Sequence, residues 1–589
     1  MRLTGRLENG FAIAILAVIG LLPVLEMTGR KFFSRGVPGS GSMVQHLTLW
    51  IAFLGAALAA RSGNLLALST AGLLPERLRS PVRCFTSGAG ALVCLWLAVA
   101  SIQWILLAQK QEGQIAWGIP FWLAVAIMPL ALSLIAVRIV WLASEYWKSR
   151  LATLAGVVAG AWLLHGPGSD GVQWAAMGLL LLACALGMPL FTVMGGAALL
   201  LFWKDGIPLA AVPDEMYKLS ASEFMPAIPM FTLGGYILAA GGASSRLMEM
   251  FTALFGWLPG GLAIVITLLL AFFTPLTGAS GVTILSLGGL LFPLLVKARY
   301  PDHTSLGLVT VSGSIGLLLP PSLPVILYAI TAQIPVPSLF LASLLPGVLL
   351  IAAVAAWGAR EGRLHKAASE PFRLRRAVGA VWQSKWELLL PVVVLASYFG
   401  GYATLVETAA ITVLYALLVN LLIFRDPELR KALAGLFVEC ATVVGGFLII
   451  VSAALAFTNF LVTAEVPMRA LEWVRLHIES RLVFLLALNL FLIAAGALMD
   501  IYSAILVVVP LITPMAAAYG VDPIHLGVIF LVNMELGYLM PPMGENLFLS
   551  AVCFDKPLTE VYRSVFPFLI ILMGVVLVIT YMPSATLLR

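Results

Sequence analysis

The chain has 589 residues, 61% hydrophobic and only 11% charged, with a mean hydropathy of +1.04. Soluble domains are nearer half apolar and a quarter charged, so this composition excludes a soluble enzyme or binding module and predicts an all-α polytopic protein of the lipid bilayer. The net charge of +6 then reports loop orientation, not nucleic-acid binding.

The first apolar run, Phe11–Leu25, follows Arg2 and Arg6 and lacks a small-x-small cleavage site, so it reads as a retained span with a cytoplasmic N-terminus. Ala91–Leu107, Phe121–Val137, Met177–Phe202 and Leu482–Leu498 are further runs that approach or reach the roughly 20 residues needed to cross a bilayer. Basic residues set the sides. Ser62–Arg83, with Arg77, Arg79 and Arg83 against Glu76, is expected inside; Gln109–Gly118 outside; Ser144–Arg150 inside. Arg360–Lys385 is the strongest cytoplasmic marker. Arg30, Lys31 and Arg35 fall outside by parity, and an amphipathic stretch on the membrane surface would account for them.

Residues 1–149 thus form a four-span scaffold. Residues 150–171 are a connecting span and loop ending in "GPGSDG", and residues 172–589 form a second part rich in Gly and Pro. That part holds an internal repeat. "SGSIGLLLPPSLPVILYA" (312–329) is matched by "NMELGYLMPPMGENLFLSA" (533–551). Pro320-Pro321 and Pro541-Pro542 stand 221 positions apart, as do Gly316 and Gly537, and Pro293 and Pro514. Each half carries a hairpin candidate, near 271–297 and 492–518, before a helix broken by a Pro-Pro pair. Two halves with matching interrupted helices point to a transporter site. Each Pro-Pro pair removes two N–H donors and frees carbonyls upstream. Such carbonyls survive in a membrane only where protein or a water-lined cavity satisfies them, and they are oxygens that a desolvated cation can use.

The first hairpin reads "TGASGVT" over 277–283. Three readings stay open: a cation-coordinating turn, a close-packing patch of small residues, or the GxSG of an intramembrane serine protease. The last needs a general base near Ser280, yet all six histidines lie near span ends or in loops. Gly278, Ser280 and Thr283 at the first hairpin, Asp500 and Ser503 at the second, and Ser312, Gly313, Asn533 and Gly537 before the two breaks are the cation-site candidates. Hydroxyl, amide and carbonyl oxygens suit a hard cation. Half-helix N-termini direct a positive dipole end toward an anion, which makes Ser322, Glu545 and Asn546 substrate-facing candidates. Asp500 could instead cap the half-helix that follows it, and Glu535 is a second carboxylate near span depth. Glu407 reads as a scaffold residue held by a Lys or Arg near a span end. Cys84, Cys94, Cys184, Cys440 and Cys553 show no metal or disulfide spacing, and no P-loop is present.

At these motifs the sequence resembles the membrane component of TRAP (tripartite ATP-independent periplasmic) transporters, with small and large membrane subunits fused. "AIPMFTLGGYIL" (227–238), "GASGVTILSLGGLLFPLL" (278–295), "VETAAITVLYALL" (406–418), "GVDPIHLGVIFLVNMELGYLMPPMGENLF" (520–548) and the repeat segment at 312–329 carry the resemblance. "LTLWIAFLGAALAAR" (47–61), "LLP" (73–75) and "GIPFW" (118–122) carry it for the small subunit. Departures are Ala279-Ser280-Gly281, Met540, Glu545 and Gly63-Asn64-Leu65, where the family often has Ser-Gly-Ser, Thr, an apolar residue and a His.

The resemblance implies import of a small organic anion, often a carboxylate, across the bacterial inner membrane. It implies sodium as the coupling ion, with sites at the hairpin tips. It also implies a separate periplasmic solute-binding protein that delivers the substrate to an inverted-repeat, elevator-type unit with two re-entrant hairpins and two broken helices. It implies no enzymatic activity, no cofactor, no metal other than sodium and no nucleic-acid partner. The alternative is a transporter that works without a binding protein and is proton-coupled through Asp500 or Glu535.

Overall fold

The computed structural model describes residues 2–63, 65, 67, 76–109, 114–143, 150, 153–154, 156–157, 170–277, 280–369, 371–498, 501–541 and 544–585. Among these the chain is helical, with two isolated β-bridges and no strand. Among the described residues eight helices are long and apolar enough to cross a membrane, or up to eleven when each sharply bent pair counts as one span. Large side chains such as Leu106, Leu130, Leu181, Leu490 and Phe566 are exposed, as expected where the solvent is lipid. The polytopic all-α class expected from composition is what the chain adopts.

The helices gather into two compact units, Met1–Pro229 with Ala434–Val466, and Met230–Leu433 with Pro467–Arg589. In the first, α1 (Arg2–Phe33), α2 (Ser40–Ser62), α3 (Glu76–Ala108), and α4 with α5 (Phe121–Val125 and Ile127–Ala143) supply four spans. Packing runs α1 on α2, α2 on α5 and α3 on α5. Glu8 of α1 ties three of them together: it accepts from Arg138 at 2.5 Å and from Arg61 at 3.1 Å. Arg138 also donates to the Ala57 carbonyl at 2.6 Å.

Two expectations need correction in this unit. Arg30 and Lys31 do not belong to a separate surface stretch, because α1 continues through them and ends at Phe33. They occupy its last turn, where the helix dipole favours cations. Met177–Phe202 is not one span either. Leu186–Pro189 breaks it into helices Asp170–Ala185 and Leu190–Lys204, with Gly187 at φ 92°. Only glycine holds such a positive φ without strain, and Pro189 cannot donate to the helix before it.

In the second unit, hairpin 1 is Gly261–Thr277 and Ser280–Lys297, and broken helix 1 is Asp302–Ile315, a short 3-10 turn Gly316–Leu318, and Leu323–Thr331. Hairpin 2 is Arg481–Leu498 and Ile501–Ala518, and broken helix 2 is Pro523–Gly537 and Glu545–Cys553. Four of these boundaries recur 221 positions on: Thr277 and Leu498, Ser280 and Ile501, Lys297 and Ala518, Asp302 and Pro523. An arm of 17 residues spans about 26 Å at 1.5 Å per residue, short of the roughly 30 Å hydrocarbon core. Broken helix 1 bends by 45° at the Leu319–Ser322 break, and Pro320-Pro321 is a cis peptide there.

The packing is reciprocal. The second arm of hairpin 1 lies on the second half of broken helix 2, and the second arm of hairpin 2 lies on the second half of broken helix 1. Each hairpin's first arm also packs on the first half of its own broken helix. Between the repeats, Glu407 has a definite structural role. It forms a capping box with Thr404, accepting from the Thr404 N–H at 2.7 Å while its own N–H donates to Thr404 Oγ1 at 3.3 Å.

Candidate functional site

Ser280 opens the second arm of hairpin 1 and is buried. Its hydroxyl donates to the side-chain oxygen of Asn546, 266 positions away, at 2.7 Å. Asn546 is fully buried at the start of the second half of broken helix 2, and its Nδ2 has no partner. The hairpin tip of one repeat is thus tied to the broken helix of the other, with an unspent N–H donor at the junction. Ser280 meets an amide oxygen rather than a histidine, which is not the arrangement a serine nucleophile needs. Thr283 is buried one turn into the same arm.

Ser322 ends the break of broken helix 1 as the N-cap of its second half. Its Oγ is buried without a partner and does not cap the helix. Ser322 and Asn546 therefore hold comparable places at the start of each half-helix, and each keeps a buried donor free. A buried unpartnered donor costs about 1–3 kcal/mol, so such groups persist where something else uses them.

The candidates before the breaks bind locally. Ser312 donates to Thr267 Oγ1 at 3.3 Å, and the Gly313 carbonyl accepts from Thr274 Oγ1 at 3.0 Å. Both threonines lie on the first arm of hairpin 1. Asn533, at the position equivalent to Ser312, donates through Nδ2 to Asn489 Oδ1 at 2.5 Å and to the Ile529 carbonyl at 2.7 Å. Asn489 also accepts from Thr580 at 3.1 Å. The Asn533 Oδ1 has no partner. Gly537 makes a backbone approach: a Cβ there would lie 2.5 Å from the Gly496 Cα. Gly316, its equivalent, is pressed on Ala271 and Thr274. These two glycines let each broken helix seat against its hairpin arm.

Gly278 and Asp500 lie outside the described residues, as do the side chains of Ser503 and Glu545. The structure therefore brings together Ser280 with Asn546, and Ser312 and Gly313 with hairpin 1. Asn533 turns toward Asn489. Sequence reasoning missed Thr267, Thr274, Asn489 and Tyr538, whose hydroxyl accepts from the Ile501 N–H at 2.8 Å. Thr267 and Thr274 are seven positions apart, two turns on one face, which is the signal that could have found them. Among the described residues no group of three or more His, Cys, Asp or Glu could hold a metal ion.

Residues 177–585 match the family model for the tripartite ATP-independent periplasmic transporter, DctM component, and residues 19–148 match that for the DctQ component. The chain belongs to the TRAP transporter family. It carries both membrane components in one polypeptide, as the sequence motifs indicated. It is 28% identical over 568 residues to the isethionate TRAP transporter permease protein DctMQ of Oleidesulfovibrio alaskensis, covering 92% of this chain and 87% of that one. It is 32% identical over 394 residues to the C4-dicarboxylate TRAP transporter large permease protein DctM of Pseudomonas aeruginosa, covering 67% and 92%. It is 27% identical over 418 residues to the 2,3-diketo-L-gulonate TRAP transporter large permease protein YiaN of Escherichia coli, covering 70% and 97%. The chain is thus a multi-span TRAP permease, and these relatives are permeases rather than enzymes.

Proposed function

We propose that this TRAP permease imports a small organic anion with a carboxylate or sulfonate group, driven by sodium and delivered by a separate periplasmic solute-binding protein. The observation that carries the reading is the pair of half-helix starts with unspent buried donors, Ser322 Oγ and Asn546 Nδ2. Each lies at the positive end of a helix dipole, where an anionic headgroup is favoured. The named relatives act on isethionate, C4-dicarboxylates and 2,3-diketo-L-gulonate, all small anions. Buried oxygens of Ser312, Gly313 and Asn533 before the breaks suit the coupling cation.

The elevator mechanism requires the hairpins and broken helices to travel as one body, and their reciprocal packing within a single unit supports it. The basic excess of Arg61, Arg79 and Arg83 and of Arg360–Lys385 supports an inner-membrane protein with a cytoplasmic N-terminus. Uptake into proteoliposomes, with and without an inward sodium gradient and with and without the cognate binding protein, tests the reading. Full uptake without sodium would overturn the coupling, and full uptake without the binding protein would overturn the partner.

A further inference from the structure

Helix Leu374–Gln383 meets the apolar helix Lys385–Phe399 at a bend of 56°. Two contacts with Arg246 of helix Ala243–Phe255 hold the corner. The Ser384 hydroxyl donates to the Arg246 carbonyl at 3.0 Å, and Arg246 Nε donates to Glu387 Oε1 at 2.6 Å. At 3.6 residues per turn the short helix presents three sides. Ala377 and Ala380 are its buried residues, and it packs on Ala243–Phe255. Leu374, Val378 and Trp382, spaced by four, are 68%, 60% and 68% exposed. Arg375, Arg376 and Gln383 take the remaining side and are exposed. Arg373 stands exposed just before the first turn. Lys385 follows the last, with its ammonium 3.7 Å from the centre of the Trp382 ring. Arg373 to Lys385 thus holds four basic residues and no acidic one. Arg373 and Arg375 pair with no carboxylate among the described residues.

A helix facing water would not put Leu374, Val378 and Trp382 outward on one side. A helix crossing the bilayer would not carry Arg375 and Arg376 in its first turn and a half, and ten residues reach only about 15 Å. Apolar and basic sides lying next to each other suit a helix in the plane of the membrane surface, with the apolar side among acyl chains and the cations at headgroup level. Trp257 and Phe372, both exposed and edge to face at 5.9 Å, add the aromatic pair that this level favours. A second copy of the chain fits less well. A two-fold contact sets a patch against itself, and here it would set arginine against arginine. We propose that helix Leu374–Gln383 is a docking surface for anionic phospholipid, with Arg373, Arg375 and Lys385 holding the headgroup phosphates and Leu374, Val378 and Trp382 seated among the acyl chains. Bound lipid then braces the corner at Arg246. The proposal needs only that the chain lies in a bilayer, and it is independent of sodium coupling.

The test places the purified full-length permease in nanodiscs of phosphatidylcholine, with phosphatidylglycerol replacing it in rising proportion. Thermal unfolding is the readout. The unfolding midpoint should rise with phosphatidylglycerol, and high salt should shrink that rise. Arg373→Gln with Arg375→Gln should lose about half or more of the rise while unfolding close to wild type in phosphatidylcholine alone. Arg373→Lys with Arg375→Lys should keep most of it. Leu374→Ser with Val378→Ser should lower the midpoint in both lipids. A wild type indifferent to phosphatidylglycerol, or a full rise in the glutamine pair, overturns the proposal. If the glutamine pair does not unfold cooperatively, a full rise in Arg375→Gln alone does so. Two copies per nanodisc in wild type and one in the serine pair would give the face to a second copy of the chain, which also overturns it.

Discussion

Ser280 and Asn546 form the contact on which the tip of hairpin 1 depends. The hydroxyl gives its only proton to the amide oxygen at 2.7 Å, and both groups are shut away from lipid and water. Ser280→Ala leaves the Asn546 side chain without this partner, which costs about 1–3 kcal/mol when the amide stays buried. If the tip must sit on broken helix 2 for sodium to bind, the half-saturating sodium concentration for uptake should rise by roughly five- to 150-fold. Ser280→Thr keeps the hydroxyl and should stay near wild type. Equal sodium activation in wild type and Ser280→Ala would remove the tip from the coupling site. Ser280 and Asn546 were each legible as candidates because they sit beside breaks in apolar sequence. Their partnership was not. The repeat offset aligns Ser280 with Ile501, and nothing in a sequence marks a contact that crosses from one repeat to the other. Thr267 and Thr274 escaped notice for a different reason. Each hydroxyl bonds the carbonyl four residues back, at 2.8 and 2.7 Å, and a threonine satisfied in that way is tolerated in any apolar helix.

The helices themselves were far more legible than the contacts between them. Proline, glycine and apolar run length act locally, and four helix boundaries recur at the 221-residue offset that the repeat sets. Length misled once, at Met177–Phe202, because the Leu186–Pro189 turn is itself mostly apolar and leaves no dip in hydropathy. Helix ends also explain Glu407. As the third residue of its helix it completes the capping box with Thr404, a pattern written in the sequence as Thr-x-x-Glu. Thr404→Ala should lower stability by about 0.5–2 kcal/mol, seen as earlier thermal unfolding with unaltered sodium and substrate half-saturation. A shifted sodium response in that variant would show that Glu407 does more than cap. Gly537 tests the seating of a whole element. A Cβ there meets backbone, at 2.5 Å from the Gly496 Cα, and backbone cannot swing aside as a side chain can. Gly537→Ala must part broken helix 2 from its hairpin arm, and the folded yield should collapse. Gly574→Ala is the control, since a Cβ there meets nothing within 4 Å and helix propensity alone predicts a gain of about 0.5–1 kcal/mol. Normal yield of Gly537→Ala would mean that the two backbones can part here without loss of the fold.

At the scale of the molecule, fusion joins two parts that the fold had already bound together. The first unit contains both α2 and residues 434–466, one from the DctQ-matching region and the other from the DctM-matching region. Their meeting is a seam of small residues. Gly55 and Ala59 on α2 face Ala441, Gly445 and Gly446. A Cβ on Gly445 would press on the Gly55 backbone, and one on Gly55 would press on Ala441 and Gly445. Helices in lipid gain no hydrophobic energy by meeting, so they associate where small side chains let backbones come close. His46 adds a polar tie to Tyr217 at 2.8 Å. The seam leads to the prediction that the covalent link through residues 150–171 is dispensable for holding the parts together. Residues 1–149 and 171–589, expressed as two polypeptides in one cell, should copurify and transport. Residues 171–589 alone should be unstable, because the Gly445 face is left with lipid in place of its partner. Gly445→Leu introduces a side chain where there is no room for a single carbon, and in the split pair it should release residues 1–149 during purification. In the fused chain the same substitution should lower thermal stability but leave the two parts in one molecule. Copurification that survives Gly445→Leu would place the binding energy between the parts elsewhere than in this seam.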